Sequence, residues 1–239
     1  MTPELLLIAV IVFFAILTQA VSGFGLALVA MPLFVQFLDP VEAASLVALM
    51  ATTTQIIMLL RYGRALKLGG LWRLMLGSLV GIPIGVILLA QLDSEIILFA
   101  LGVILVSYSL YSLFAPPIPI IKNANWGYLF GFASGLLGGA YNTGGPPFVI
   151  YGASQRWETS VFKANLQVLL MVNSVSVVIA HVLAGHYTEI VVRDYAIALP
   201  MIVLGALAGF WLDRYINETL YRRIILVLLL IIGVRLLVG

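Results

Sequence analysis

The sequence predicts an all-α polytopic membrane protein made of two structurally related four-element halves in an inverted repeat, each with a glycine-broken helix or re-entrant hairpin. Three observations lead there. Of the 239 residues, 63% are hydrophobic and 9% are charged, with a mean hydropathy of +1.16; an ordinary soluble chain is about half apolar and a quarter charged. Apolar runs recur to the C-terminus at lengths near the roughly 20 residues that cross about 30 Å of hydrocarbon, so the first is expected to be a span and not a removable leader. Glycine and proline gather at two places where a membrane helix should be strongest.

The apolar segments are 3–20, 25–38, 42–60, 71–90, 95–114, 126–137, 146–153, 160–184, 195–211 and 218–238. Segment 3–20 is long enough to cross alone. Segment 25–38 is short and follows the turn Ser22-Gly23-Phe24-Gly25, the first break. Segment 42–60 carries a polar patch, Thr52 to Gln55, and 71–90 carries the small-residue pair Gly81 and Gly85, a spacing that lets helices approach closely. Segment 95–114 closes a first transmembrane repeat, 1–114. In the linker, 115–125, Pro116, Pro117 and Pro119 prevent helix continuation. The second repeat, 126–239, opens with the short segments 126–137 and 146–153 around GGAYNTGGPP, where four glycines and two prolines fall within ten residues. Segment 160–184 carries Asn173 to Ser176, 195–211 carries Gly205 and Gly209, and 218–238 ends the chain.

The halves share an order of features. Gly23 precedes Pro32 by the same interval as Gly138 precedes Pro147, and a polar helix patch and a small-residue pair follow in each half. Secondary transporters are commonly duplicated in this way.

Charge bias orients the halves. If each break lies within one crossing, the repeats are parallel, and Arg156, Lys163, Arg214, Arg222 and Arg223 fall on the opposite side from Arg61, Arg64, Lys67 and Arg73. If each broken element enters and leaves on one side, the second half is inverted. All those residues and Lys122 then face the cytoplasm, leaving Arg193 and Arg235 outside, which satisfies the positive-inside bias better.

Irregular backbone at membrane depth is tolerated where protein buries it or a polar cavity solvates it, so the breaks are candidate cavity linings. A half-helix starting there presents N–H groups and the positive end of its dipole, which attract an anion without a buried cation. Pro146 and Pro147 suit a helix start. The expected site is a small anion pocket between Gly139, Tyr141, Asn142, Thr143, Gly144 and Gly145 of one half and Ser22, Gly23 and Gly25 of the other.

At these residues the chain resembles the sulfite exporter TauE/SafE family, also called the 4-toluene sulfonate uptake permeases. The first motif appears as Gly23, Phe24, Gly25, Pro32 and Leu33. The second appears as Gly135, Gly138, Gly139, Gly144, Gly145, Pro146, Pro147 and Tyr151, and the likeness covers nearly the whole chain. It departs at Asn142, where the family carries a small residue, often glycine. The resemblance implies a secondary transporter, generally an exporter, in the bacterial inner membrane. Its substrates would be small sulfur-containing anions such as sulfite, sulfoacetate or other organosulfonates, moved by alternating access without nucleotide or other cofactor. Lys163 matches a position where the family tends to place a basic residue and could pair with a sulfonate; a lysine snorkelling to the interface is the competing role.

Other side chains could complete the pocket. Gln19 adjoins the first break; Gln55 and Asn173 could donate from helices of opposite halves or simply bond helix to helix. Asn165 projects differently from Lys163 and ranks lower. Asp39, Glu42, Asp93, Glu95, Glu158 and Glu218 fall near segment ends, as helix caps do. His181 and His186 flank an external turn, where a solvent-facing role is expected over a proton relay. Coupling to a proton or another ion stays open, as does pairing of two copies in a homodimer. The basic residues lie in short loops and form no face for nucleic acid. An anion channel or a carrier for small carboxylates is the alternative function. An intramembrane enzyme is disfavoured: the chain has no cysteine, two histidines near one turn, and no H-E-x-x-H.

Overall fold

The computed structural model describes residues 3–67, 69–114, 118–213, 215 and 218–238. Pro116 and Pro117 of the linker and Arg214 lie outside the described residues, as do the side chains of Arg64, Glu218 and Arg222. Ten α-helices are described: α1 Pro3–Ser22, α2 Leu26–Phe34, α3 Pro40–Tyr62, α4 Leu71–Gln91, α5 Ser94–Phe114, α6 Trp126–Tyr141, α7 Gly145–Ser154, α8 Thr159–Leu183, α9 Glu189–Leu212 and α10 Glu218–Val238. The described residues contain no strand. Among them, α1, α3, α4, α5, α8 and α9 are long and apolar enough to cross a membrane. Each half repeats one pattern, a helix of 20 or 16 residues, a short helix of 9 or 10, and three long helices. With the short helix and its predecessor taken together, each half has four elements.

The ends follow from local chemistry. Asp39 accepts the Val41 N–H at 2.8 Å and Pro40 occupies the first turn, which starts α3. Helix α1 stops because Gly23 and Gly25 take φ of 81° and 119°, conformations that glycine adopts without the Cβ penalty. Helix α6 stops at Asn142, whose φ of 55° is left-handed. Asparagine is the usual second choice to glycine at a left-handed helix end, which accounts for its standing where the resembled family carries a small residue.

Packing partners are exchanged between the halves: α1 lies along α9 as α6 lies along α4, while α3 packs on α8 and α5 on α10. Helices α3 and α8 run antiparallel. Ser45, near the start of α3, meets His181 near the end of α8, and Lys67, just beyond α3, donates its N–H to Asn165 near the start of α8. The α4–α6 contact is a ladder of glycines. A Cβ at Gly77, Gly81 or Gly85 would strike the carbonyl oxygens of Tyr128, Phe132 or Leu136, and one at Gly131, Gly135 or Gly139 those of Leu74, Ser78 or Ile82. Gly205 and Gly209 likewise bring α9 against Phe13, Leu17 and Ala20 of α1. In lipid, where apolar surface alone gives no reason to associate, such backbone approach supplies the dispersion and weak Cα–H···O contacts that join helices.

Candidate functional site

The α1–α2 and α6–α7 turns converge beside Ala51 of α3 and Leu170 of α8, close to the midpoints of those helices. Between them lies a cavity of about 30 Å³. Gln19, Gly25, Gln55, Asn142, Thr143, Gly145 and Asn173 line it, joined by Phe24, Leu26, Ala27, Leu28, Ala51, Pro146, Leu170 and Ser174. Residues from 19 to 174 in the sequence are thus drawn to one point by the reciprocal packing of the halves.

The walls mix polar and apolar groups and, among the described residues, carry no cationic side chain. Gln19 is 3% exposed; its Oε1 accepts the Leu26 N–H at 3.1 Å, closing the start of α2, while its Nε2 is buried with no partner among the described residues. Asn142 Nδ2 donates to the Ala44 carbonyl at 2.6 Å, and its Oδ1 is buried without a partner among the described residues, as is Gln55 Oε1. Each buried polar atom left unpaired costs about 1–3 kcal/mol, so three around one cavity mark a place built for a polar occupant or water. Asn173 is more fully engaged, donating to Ser78 Oγ at 3.0 Å and lying where a Cβ on Gly138 would be.

Two helices begin at the cavity, capped by Gly25 and Gly144 with no side-chain hydrogen bond. Their donor supply is unequal. Of the first three residues of α7 only Gly145 has an N–H, since Pro146 and Pro147 follow. At α2 the Leu26 N–H is taken by Gln19, and Ala27 and Leu28 follow it at the wall. The positive dipole end is present at both, accompanied at α2 by the N–H groups of Ala27 and Leu28 and at α7 by that of Gly145 alone.

The other sequence-predicted residues lie around the cavity without lining it. Ser22 Oγ lies 2.7 and 2.6 Å from the carbonyls of Thr18 and Phe24, which share its one hydrogen, and borders a second cavity of about 20 Å³ with Tyr108 and Tyr221. The Gly23 carbonyl accepts from Gln167 Nε2 at 2.7 Å. Gly139 faces Ile82 of α4, Tyr141 donates its OH to the Ile97 carbonyl at 3.1 Å, and the Gly144 carbonyl accepts from Ser134 Oγ. Lys163 places its Nζ 5.9 Å from the centre of the Tyr62 ring, near the end of α3.

Sequence reading missed Phe24 as a wall of both cavities and Gln167 as the clamp on Gly23. Each carried a signal: an aromatic between two glycines, and a glutamine within an apolar run. A correction concerns His181, expected to face solvent: it is fully buried, because the last turn of α8 packs on Ser45 of α3.

No curated protein and no solved structure matched the chain. The family model for the sulfite exporter TauE/SafE matches residues 8–236, a span that contains both glycine breaks and every residue of the cavity. The chain therefore belongs to the sulfite exporter TauE/SafE family.

Proposed function

We propose that this protein is a secondary transporter of small sulfur-containing anions such as sulfite, sulfoacetate or other organosulfonates, working outward across a bacterial inner membrane. The observation that carries the anion site is the cavity itself: the buried Gln19 Nε2, a donor with no partner among the described residues, stands beside the starts of α2 and α7, while the unpaired oxygens of Gln55 and Asn142 can accept from a hydroxyl or water that accompanies the anion. The family's description as sulfite exporters supports the sulfur and the outward direction.

We further propose that residues 1–114 and 126–239 form an inverted repeat joined by the linker 115–125. Support comes from the exchanged packing partners and from the antiparallel course of α3 and α8, the corresponding third helices of the two halves. With the α3–α4 loop in the cytoplasm, the Gly185 turn faces outward. Alternating access then consists of one half rocking against the other about the cavity.

A cavity of about 30 Å³ holds a water or two and no sulfonate, so loading requires the walls to part. So small a space favours a carrier over an open anion channel. Purified protein should be screened by thermal shift against sulfite, sulfate, thiosulfate, taurine, sulfoacetate and the carboxylate matching each. Stabilisation by the sulfur oxyanions supports the proposal; stabilisation by carboxylates alone would replace the substrate class, and by none of them would remove the site.

A further inference from the structure

About two helical turns from the cavity, the two histidines of the chain form a linked pair. His181 Nδ1 lies 2.8 Å from His186 Nδ1 and 3.1 Å from Ser45 Oγ. His181 is fully buried, and its Nε2 has no partner among the described residues. His186 is half-buried in the α8–α9 turn. Ser174, Val177 and His181 recur along one side of α8, as Ser45, Ala48 and Gln55 do along α3, at spacings that keep each set on one face. Ser174 and Gln55 line the cavity; Ala48 and Val177 pack with Ile82 and Val86 of α4 into a small separate apolar cluster. That cluster lies between the cavity and the histidines, which stand about 10 Å further along α8.

We infer that the His181–His186 pair is a proton-binding site that governs opening of the apolar plug between this end of the protein and the central cavity. The inference rests on the transporter reading for the purpose of that opening.

The proton bookkeeping follows from the contacts. Ser45 Oγ donates its hydrogen to the Val41 carbonyl at 2.7 Å, so it accepts from His181, whose ring proton sits on Nδ1. His186 Nδ1 then turns its lone pair to the same hydrogen, with its own proton on Nε2. One added proton goes to His181 Nε2, and the shared Nδ1–H···Nδ1 bond survives. A second would set two Nδ1–H groups against each other and break the pair. The imidazolium so formed lies deep in the α3–α8 seam, where an unsolvated charge is disfavoured. Any arrangement that admits water to the pair gains that energy on protonation, and the arrangement described here does not.

The surrounding groups set the balance. On α3, Asp39 and Glu42 face the turn, and Glu42 Oε1 accepts from Thr188 Oγ1 at 3.0 Å, tying the turn to the helix. Tyr187 lies with its ring 6.3 Å from that of His181, and Glu189 opens α9, whose Tyr195 bonds to Thr53. Burial holds the His186 imidazole below its ordinary affinity for protons, and the Asp39 carboxylate partly restores it.

The chain has two histidines and no cysteine, which makes it suited to a direct test. Protein labelled with ¹³C,¹⁵N-histidine in lipid nanodiscs should take up one proton between the rings from pH 8 to pH 3.5, with His186→Gln shifting the titration of His181. Two independent, ordinary titrations unaffected by the substitution would overturn the pair. In parallel, Ser174→Cys is labelled with a membrane-impermeant methanethiosulfonate from the His186 side. The labelling rate at pH 5.5 relative to pH 8 should be at least tenfold greater with both histidines present than in His186→Gln, a ratio that cancels the thiol's own titration. Equal ratios would overturn the plug. Neither measurement requires transport, so both stand apart from failure of the substrate assignment.

Discussion

Replacing Gln19 by glutamate tests the sign of the ligand with almost no change of shape. The retained Oε1 still accepts the Leu26 N–H, and only the unpartnered Nε2 is exchanged for an oxygen. An oxyanion that accepts from this position lies with its oxygen about 3 Å away and its charge centre roughly 4 Å away. Two unit charges about 4 Å apart repel by about 4 kcal/mol at an effective dielectric of 20. Once ionised, the carboxylate introduced by Gln19→Glu should therefore weaken anion binding about a thousandfold. Burial raises the affinity of the new carboxyl for its proton, so the loss should grow from pH 6 to pH 9 as the group ionises. The assay is calorimetric titration of detergent-solubilised protein with methanesulfonate, whose charge is constant over that range, beside Gln19→Met as the neutral control. Equal affinities for wild type and Gln19→Glu at pH 9 would refute an anion in this cavity.

Other expectations concern the frame around the site. Gly135→Ala would put a methyl group 2.7 Å from Ser78 Cα, where the backbone cannot yield; overpacking of about 1–3 kcal/mol should lower the melting temperature by about 5 °C. Lys163→Gln should leave anion affinity within about threefold, because its ammonium lies against Tyr62 outside the cavity and is screened; a calorimetric loss beyond tenfold would return Lys163 to the site. For His186, whose native proton affinity is lowered by burial, the stabilisation is complete above the ordinary value of 6.5 and is lost as pH falls through the lower native value. Melting temperatures from pH 8 to pH 5 should fall, and His186→Gln should fall less.

The long helices were legible because hydropathy fixes them: each predicted run from 42–60 onward lies on a helix of the structure to within a few residues at most ends. The breaks were legible because Gly23, Gly25, Pro146 and Pro147 leave a helix few other options. Their reach was harder to read: 126–137 became α6 to Tyr141, since two glycines in a helix end are tolerated when α4 packs against them. Seven predicted residues meet in one cavity because polar side chains in apolar runs have few places to go. Gly139 and Gly144 could not be separated from them by sequence alone. A glycine needed for backbone approach and a glycine needed to face a ligand are the same residue until the neighbouring helix is known.

The two prolines after Gly145 carry a consequence for turnover. A helix start with a full set of N–H groups would grip an oxyanion by several directional bonds and release it slowly. With Pro146 and Pro147 in those places, α7 offers its dipole and little else, so attraction falls off gradually and demands no particular arrangement of oxygens. In the proposed transporter such a start would sort cargo by charge and size before shape, and would let go of it as soon as water arrives.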